Sequence, residues 1–130
     1  SSLSSRTFQR LFCLGEIIYR KQGDLLVSRD SESSMLYLII DGCAIVELSP
    51  NRTKELVGGQ FIGEMSFITG SVTSADVRAG CDNTMVLVWT NCDLIKFLDQ
   101  DTVLSHAFDL ILSTDVTAKL NRMNHQNTDV

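Results

Sequence analysis

One stretch of the chain, GGQFIGEMSFI at residues 58–68, interrupts a long run of β-type sequence. Its apolar pair, Phe61 and Ile62, predicts the end of a strand. Gly63 can then adopt backbone angles that other residues rarely take, and residues 64–68 fit one helical turn. A turn that begins at a glycine exposes free N–H groups at the positive end of a short helix, which suits a phosphate. A simpler interpretation stays open, since Glu64 stabilises a helix start by its charge alone.

Short apolar segments lie on both sides of this stretch, and turns rich in glycine, aspartate and asparagine separate them. Such segments at a spacing of ~8–12 residues are typical of a β-sandwich or barrel. This part of the chain is therefore predicted to be mainly β. The predicted strands cover residues 16–20, 25–28, 35–40, 44–48, 55–57, 74–79 and 84–89.

Helical periodicity flanks the β-type segments. A first helix is predicted over residues 3–14. After the last strand, Asn91 or Asp93 can cap a short helix that ends near Leu98, and a longer helix follows over about 102–123. The longer helix either packs on the sheets or also forms a dimer, because a broad apolar stripe usually marks an interaction surface. Its stripe comprises Val103, Leu104, Phe108, Leu110, Ile111, Val116 and Leu120, with Leu112 and Met123 outside it.

Length and charge narrow the classes of function. A chain of 130 residues fits one domain of ordinary size. Its 16 acidic residues exceed its 11 basic ones, and a net charge of −5 argues against a nucleic-acid partner, which needs a basic surface. No apolar run approaches the ~20 residues of a membrane-spanning helix. The cysteines form no C-x-x-C pair and are interpreted as buried, reduced residues of an intracellular protein; they are Cys13, Cys43, Cys81 and Cys92.

Histidine placement argues against an enzyme. A metal oxygenase on a β-roll needs two or three histidines and a carboxylate that face into the roll. The two histidines, His106 and His125, lie in the last helix and its tail. No Ser-His-Asp or Cys-His arrangement of a nucleophile is apparent either. We therefore expect a protein without catalytic activity and without a metal or cofactor.

The order of these elements resembles the cyclic nucleotide-binding domain family, which includes the catabolite activator protein. LYLIIDG at residues 36–42 matches the family's third strand and the glycine turn after it. GQFIGEMS at 59–66 falls on its phosphate-binding cassette, and TSADVRA at 73–79 falls on the strand that closes the cassette.

This resemblance implies a mainly β fold, a double-stranded β-helix (jelly roll) with one N-terminal helix and two C-terminal helices. The whole chain, 1–130, forms a single domain in this view. The β-roll covers 16–90, with the cassette at 59–79, and the C-terminal helices cover 91–123.

The resemblance also implies a site for cAMP or cGMP. In the family, the glutamate at the position of Glu64 accepts a hydrogen bond from the ribose 2′-hydroxyl, and backbone N–H groups of the cassette receive the cyclic phosphate. Near the end of the last helix, Met123 and Asn124 are placed to face the base. The ligand-binding residues carried over are Gly63, Glu64, Met65, Ser66, Thr73, Ser74 and Ala75.

One position departs from the family pattern. The family has an arginine that neutralises the phosphate where this chain has Thr73. A charge-assisted contact contributes on the order of 1.5–3 kcal/mol, so its loss weakens binding roughly tenfold to hundredfold. Arg78 cannot replace it, because it lies roughly 16 Å along an extended strand and on the opposite face. Asp76 shares a face with Ser74 and adds negative charge if it faces the site. The sequence therefore predicts a preserved fold with weak or absent cyclic nucleotide binding.

The C-terminal part suggests an alternative. The spacing of its apolar and polar residues resembles the end of the Popeye domain, a divergent cyclic nucleotide-binding branch found behind membrane-spanning segments. Two classes of function stay open: a regulatory ligand-sensing module, and a structural module that dimerises through its last helix. In both cases we expect a cytoplasmic domain that meets a membrane only through parts of a parent protein outside this chain. The resemblance to Popeye rests on Leu87, Val88, Trp89, Leu94, Phe97, Leu98, Phe108, Asp115, Lys119, Leu120 and Asn124.

Overall fold

The fold is built from eight short strands and four helices in the part of the chain that the computed structural model describes, residues 5–31, 34–73 and 75–114. The last helix, α4, begins at residue 102 and is described through 114. The other elements are α1 (Ser5–Leu14), β1 (Glu16–Arg20), β2 (Leu25–Val27), β3 (Met35–Asp41), β4 (Cys43–Ser49), β5 (Arg52–Val57), β6 (Phe61–Ile62), α2 (Glu64–Thr69), β7 (Asp76–Ala79), β8 (Thr84–Thr90) and α3 (Asn91–Asp99).

The strands form two antiparallel sheets of four strands each. One sheet has the order β1-β8-β3-β6 and the other has the order β2-β7-β4-β5. The chain passes from one sheet to the other several times, as a jelly roll requires. The predicted mainly β jelly roll is therefore confirmed. The short strand β6 pairs with Tyr37 and Leu38 of β3, and it leads directly into Gly63 and α2.

Most predicted boundaries agree with the structure, and a few need correction. Strand β5 begins at Arg52 instead of residue 55, and β7 begins at Asp76 instead of residue 74. Neither Asn91 nor Asp93 caps α3. The cap is Thr90, whose extended backbone lets its hydroxyl accept a hydrogen bond from the N–H of Asp93 at 3.3 Å. The predictions for residues 3, 4, 74 and 115–124 lie outside the described residues.

The central strand β3 of the first sheet has buried side chains on both of its faces. Along β3, Leu36 packs towards the helices, whereas Ile39 packs towards the second sheet. Both side chains are fully buried. Leu112 of α4 is fully buried as well, which corrects the prediction that it lies outside the apolar stripe. The reason is helical geometry, since positions 104, 108 and 112 are one turn apart and share a face.

An aromatic cluster ties α4 to the rest of the fold. The Phe108 ring lies edge-on to three others, with centroid distances of 6.1 Å to Phe61, 6.4 Å to Phe67 and 6.1 Å to Trp89. The Trp89 indole N–H donates a hydrogen bond to the carbonyl oxygen of Leu11 at 2.9 Å, and this bond connects α1 to the aromatic cluster. Phe61 and Phe67 belong to the elements on either side of Gly63. The last helix is therefore in direct contact with the stretch that interrupts the β-type sequence.

The cysteines only partly fit the prediction that all four are buried. Cys43 is buried, but Cys13 and Cys92 are exposed because they lie on the outer faces of α1 and α3. The fold brings Cys43 and Cys81 together, with their Sγ atoms 2.6 Å apart. The hydrogen bond between these two thiols, aided by burial, raises the pKa of Cys43 to about 12.

Thiol reactivity is expected to differ sharply between these positions. At pH 8 a maleimide should modify Cys13 and Cys92 well before Cys43, because the thiolate is the nucleophile and Cys43 is both buried and protonated at that pH. Timed labelling followed by peptide mass spectrometry measures the rates. In guanidinium all the cysteines should react at similar rates. Equal rates for Cys43 and Cys92 in the folded protein would contradict the packing described here.

No helix among the described residues is long and apolar enough to cross a lipid bilayer. The same residues contain no cluster of three or more histidine, cysteine, aspartate or glutamate side chains suited to a metal ion.

Candidate ligand-binding site

A cavity of about 350 Å³ lies between the second sheet and helix α2. Strands β2, β4, β5 and β7 form its floor, and α2 with the loop after it forms the opposite wall. Of the predicted site residues, Ser74 lies outside the part of the chain that is described. The other predicted residues all line this cavity: Gly63, Glu64, Met65, Ser66, Thr73 and Ala75.

Gly63 sets the geometry of the cavity wall. Its backbone angles, φ 88° and ψ 10°, lie in the left-handed region, where a side chain would be strained. The helix α2 that follows ends at Gly70, which has φ 73° and donates its N–H to the carbonyl oxygen of Ser66 at 2.8 Å. General helix geometry leaves the first N–H groups of α2 without an intrahelical acceptor. The sequence folds here into one short helical turn whose open end faces the cavity.

Two polar side chains of α2 are buried against the cavity. Glu64 is only 5% exposed, and Ser66 is buried as well. Carboxylates are rarely buried to this extent, and a carboxylate acts only as an acceptor when it is ionised. The wall of the cavity therefore contains a buried carboxyl group and a buried hydroxyl group.

Thr73 lines the cavity, but its hydroxyl group is hydrogen-bonded to backbone groups of the protein. It donates to the carbonyl oxygen of Ser28 and lies 3.2 Å from that of Ser31. The backbone of Thr73 also pairs with this turn, through the N–H of Asp30 at 2.8 Å and the carbonyl oxygen of Ser31 at 3.0 Å. The Thr73 hydroxyl therefore bonds to the turn between β2 and β3.

Arg78 and Asp76 both lie outside the cavity. Arg78 faces away from the floor, as its position in the strand predicts, and its Nε donates to Oε1 of Glu47 at 2.9 Å. Asp76 accepts a hydrogen bond from the N–H of Arg29 at 2.6 Å through Oδ1. It therefore adds no charge to the lining of the cavity. Neither side chain belongs to the lining of the cavity.

Lys54 is a cavity residue that the sequence interpretation missed. It lines the floor from β5 and is only 9% exposed. It was missed because β5 was predicted to begin at residue 55, which left Lys54 outside the strand. The available signal was its two-residue spacing from Leu56, since alternate residues of a strand share a face.

The two sheets and the cavity beside α2 place the protein in the class of β-roll domains. Residues 17–101 match the model of the cyclic nucleotide-binding domain, and this match covers the larger part of the chain. The chain belongs to the cyclic nucleotide-binding domain family.

Individual relatives agree with this assignment. A segment of 61 residues, 47% of the chain, is 34% identical to cGMP-dependent 3′,5′-cGMP phosphodiesterase A of Dictyostelium discoideum. The match spans only 7% of that enzyme. Among solved structures, a cyclic nucleotide-binding domain from Methylobacillus flagellatus superposes with a TM-score of 0.85 at 21% identity, over 97% of this chain and 73% of that one. The catabolite activator protein of Thermus thermophilus gives 0.70 at 19% identity, over 98% and 58%. At these identities the two structures establish a shared fold.

Proposed function

We propose that this domain is a non-catalytic regulatory module that senses cAMP or cGMP in the cavity beside α2. The observation that carries the proposal is the burial of Glu64 against this cavity, next to the left-handed Gly63. A volume of about 350 Å³ is in the range of small-molecule pockets. Membership of the family supports a cyclic nucleotide as the occupant.

In the proposed complex, the Glu64 carboxylate accepts a hydrogen bond from the ribose 2′-hydroxyl. The N–H groups at Gly63, Met65 and Ser66 receive the cyclic phosphate, because amide donors at a helix start suit an anion. Ala75 adds an amide from the other side, and Ser74 would do so from its place in the sequence. The apolar floor of valine and leucine side chains suits the faces of a purine base.

The affinity in this proposal is weak. The cassette has no arginine at position 73, and the Thr73 hydroxyl is bonded to Ser28. A missing charge-assisted bond reduces affinity by roughly tenfold to hundredfold.

Regulation would act through α4. A ligand that contacts α2 favours one placement of Phe67, and Phe67 contacts Phe108 of α4. A ligand shifts such an equilibrium only when it binds one arrangement better, as a ligand that spans both elements does. In this proposal the domain lies in the cytoplasm and passes the shift to a partner or to a second copy.

A second candidate function is a structural module that forms a homodimer through α4, as a Popeye-like cytoplasmic part of a membrane protein. It is favoured by the outer face of α4, where Val103, Leu110 and Ile111 are exposed. Exposed apolar groups in this number mark interaction surfaces. Any membrane contact would then come from other segments of a larger protein.

Thermal melting with millimolar cAMP and cGMP distinguishes the two candidates. A nucleotide at a hundred times its dissociation constant adds about 2.7 kcal/mol to the free energy of unfolding and raises the midpoint. Glu64→Ala should lower the affinity at least roughly tenfold and remove this shift. Glu55→Ala is the matched control, since Glu55 is exposed on the other face of β5. An unchanged midpoint of the wild-type protein with both nucleotides would favour the structural module, and an unaltered shift in Glu64→Ala would contradict the binding mode.

A further inference from the structure

The cavity lining contains one acidic and one basic side chain. Among the residues that line it, only Glu64 and Lys54 are charged, and all others are apolar, hydroxyl-bearing or glycine. A phosphate diester brings one negative charge into a space that already holds a carboxylate. Burial of a charge without a partner of opposite sign is strongly unfavourable. An anionic ligand in this cavity therefore requires a cation on the lining.

Arg78 and Arg29 lie on or next to strands of the second sheet, but neither of them lines the cavity. Arg78 is bonded to Glu47 and to the carbonyl oxygen of Gly23. Arg29 is exposed, and its guanidinium donates to the carbonyl oxygen of Leu48 at 2.8 Å. Lys54 is the basic residue among those that line the cavity, and it is buried.

Strand register places Lys54 at one end of a row across the floor. Lys54 of β5 pairs with Val46 of β4, Val46 pairs with Val77 of β7, and Val77 pairs with Val27 of β2. All four side chains line the cavity. Neighbouring strands are about 4.8 Å apart, and an extended lysine side chain reaches about 6 Å. The ammonium group can therefore reach over β4 towards the centre of the floor.

We propose that Lys54 is the residue that balances the negative charge of the bound ligand, in place of the arginine that the cassette lacks. This inference rests on the proposed function. It places the residue that neutralises the ligand's negative charge on β5, on the sheet side of the cavity. A lysine is a compact point charge with three donors, and it needs no fixed bidentate geometry to serve a phosphate. The pocket then prefers phosphate-bearing nucleotides to the corresponding uncharged nucleosides.

The test compares Lys54→Met, Lys54→Arg and the matched control Lys96→Met, since Lys96 is exposed on α3. NMR titrations give the dissociation constants of each variant for cAMP, cGMP, adenosine and guanosine. Lys54→Met should lose at least tenfold in affinity for both cyclic nucleotides and keep its affinity for the nucleosides. Lys54→Arg should stay within about threefold of the wild type because it keeps the charge, and Lys96→Met should bind as the wild type does.

Several outcomes would overturn the inference. If Lys54→Met binds cyclic nucleotides as tightly as the wild type, or loses the same factor for nucleosides, Lys54 does not serve the phosphate charge. In that case the proposed function stands, because the wild-type protein still binds. If the wild-type protein binds neither cyclic nucleotide, the proposed function itself fails, which is seen before any variant is made.

A double-mutant cycle covers the case in which Lys54→Met folds poorly alone. In a Thr73→Arg background, the loss caused by Lys54→Gln should be smaller than in the wild-type background, because the arginine introduced at position 73 then still provides a cation for the phosphate. Equal losses in the two backgrounds would overturn the inference.

Discussion

Replacing Thr73 with arginine is expected to raise the affinity for cAMP or cGMP by roughly tenfold to hundredfold. The position already lines the cavity, and the other predicted site residues that are described line it too. The same change removes the hydroxyl that bonds to Ser28 and Ser31. It should therefore lower the free energy of unfolding by about 1–2 kcal/mol. Isothermal calorimetry and urea unfolding measure the two effects separately.

Thr73→Val is the matched control for this substitution. Valine has nearly the shape of threonine but no hydroxyl, so it should show the same loss of stability with no gain in affinity. If Thr73→Arg binds no better than the wild type, the absence of an arginine at position 73 is not what limits the affinity.

Truncating Phe108 to alanine is expected to lower the free energy of unfolding by about 3–5 kcal/mol. The ring is buried and contacts Phe61, Phe67 and Trp89 edge-on, and such aromatic pairs stabilise beyond the area that they bury. Denaturant unfolding followed by tryptophan fluorescence measures the change, because Trp89 belongs to the cluster.

Leu110→Ala tests whether this effect belongs to the cluster or to the helix. Leu110 lies on the same helix but is 69% exposed, so its truncation should change stability by only about 0.5 kcal/mol. Similar losses for the two variants would show that helix formation, and not the aromatic contacts, determines the stability.

The sequence predicts the β-roll well because the residues within each turn determine the conformation of that turn. Gly63 shows this clearly, since a glycine between an apolar strand and a helical turn predicts the left-handed backbone that the structure has. The alternation of apolar residues in β7 likewise predicts that Arg78 faces outward.

The features that sequence reasoning missed depend on contacts between distant residues. The hydroxyl partners of Thr73 are 42 and 45 residues away along the chain, and Cys43 and Cys81 are 38 residues apart. The burial of Lys54 depends on its pairing with Val46 across β4 and β5. A short sequence segment does not determine which strands lie next to each other in a sheet. Contacts between distant residues are therefore seen only in the folded structure.

The bonds between Thr73 and the β2–β3 turn also bear on how this family can diversify. A single substitution to arginine at position 73 would gain a ligand contact and loosen a turn at the same time. Natural proteins sit only slightly above the stability that they need, so such a change survives only in a background that is already more stable. We therefore expect the order of substitutions to matter: a change that strengthens the β2–β3 turn must precede the arginine in any evolutionary path, or directed evolution experiment, that leads from this chain to a tight nucleotide sensor.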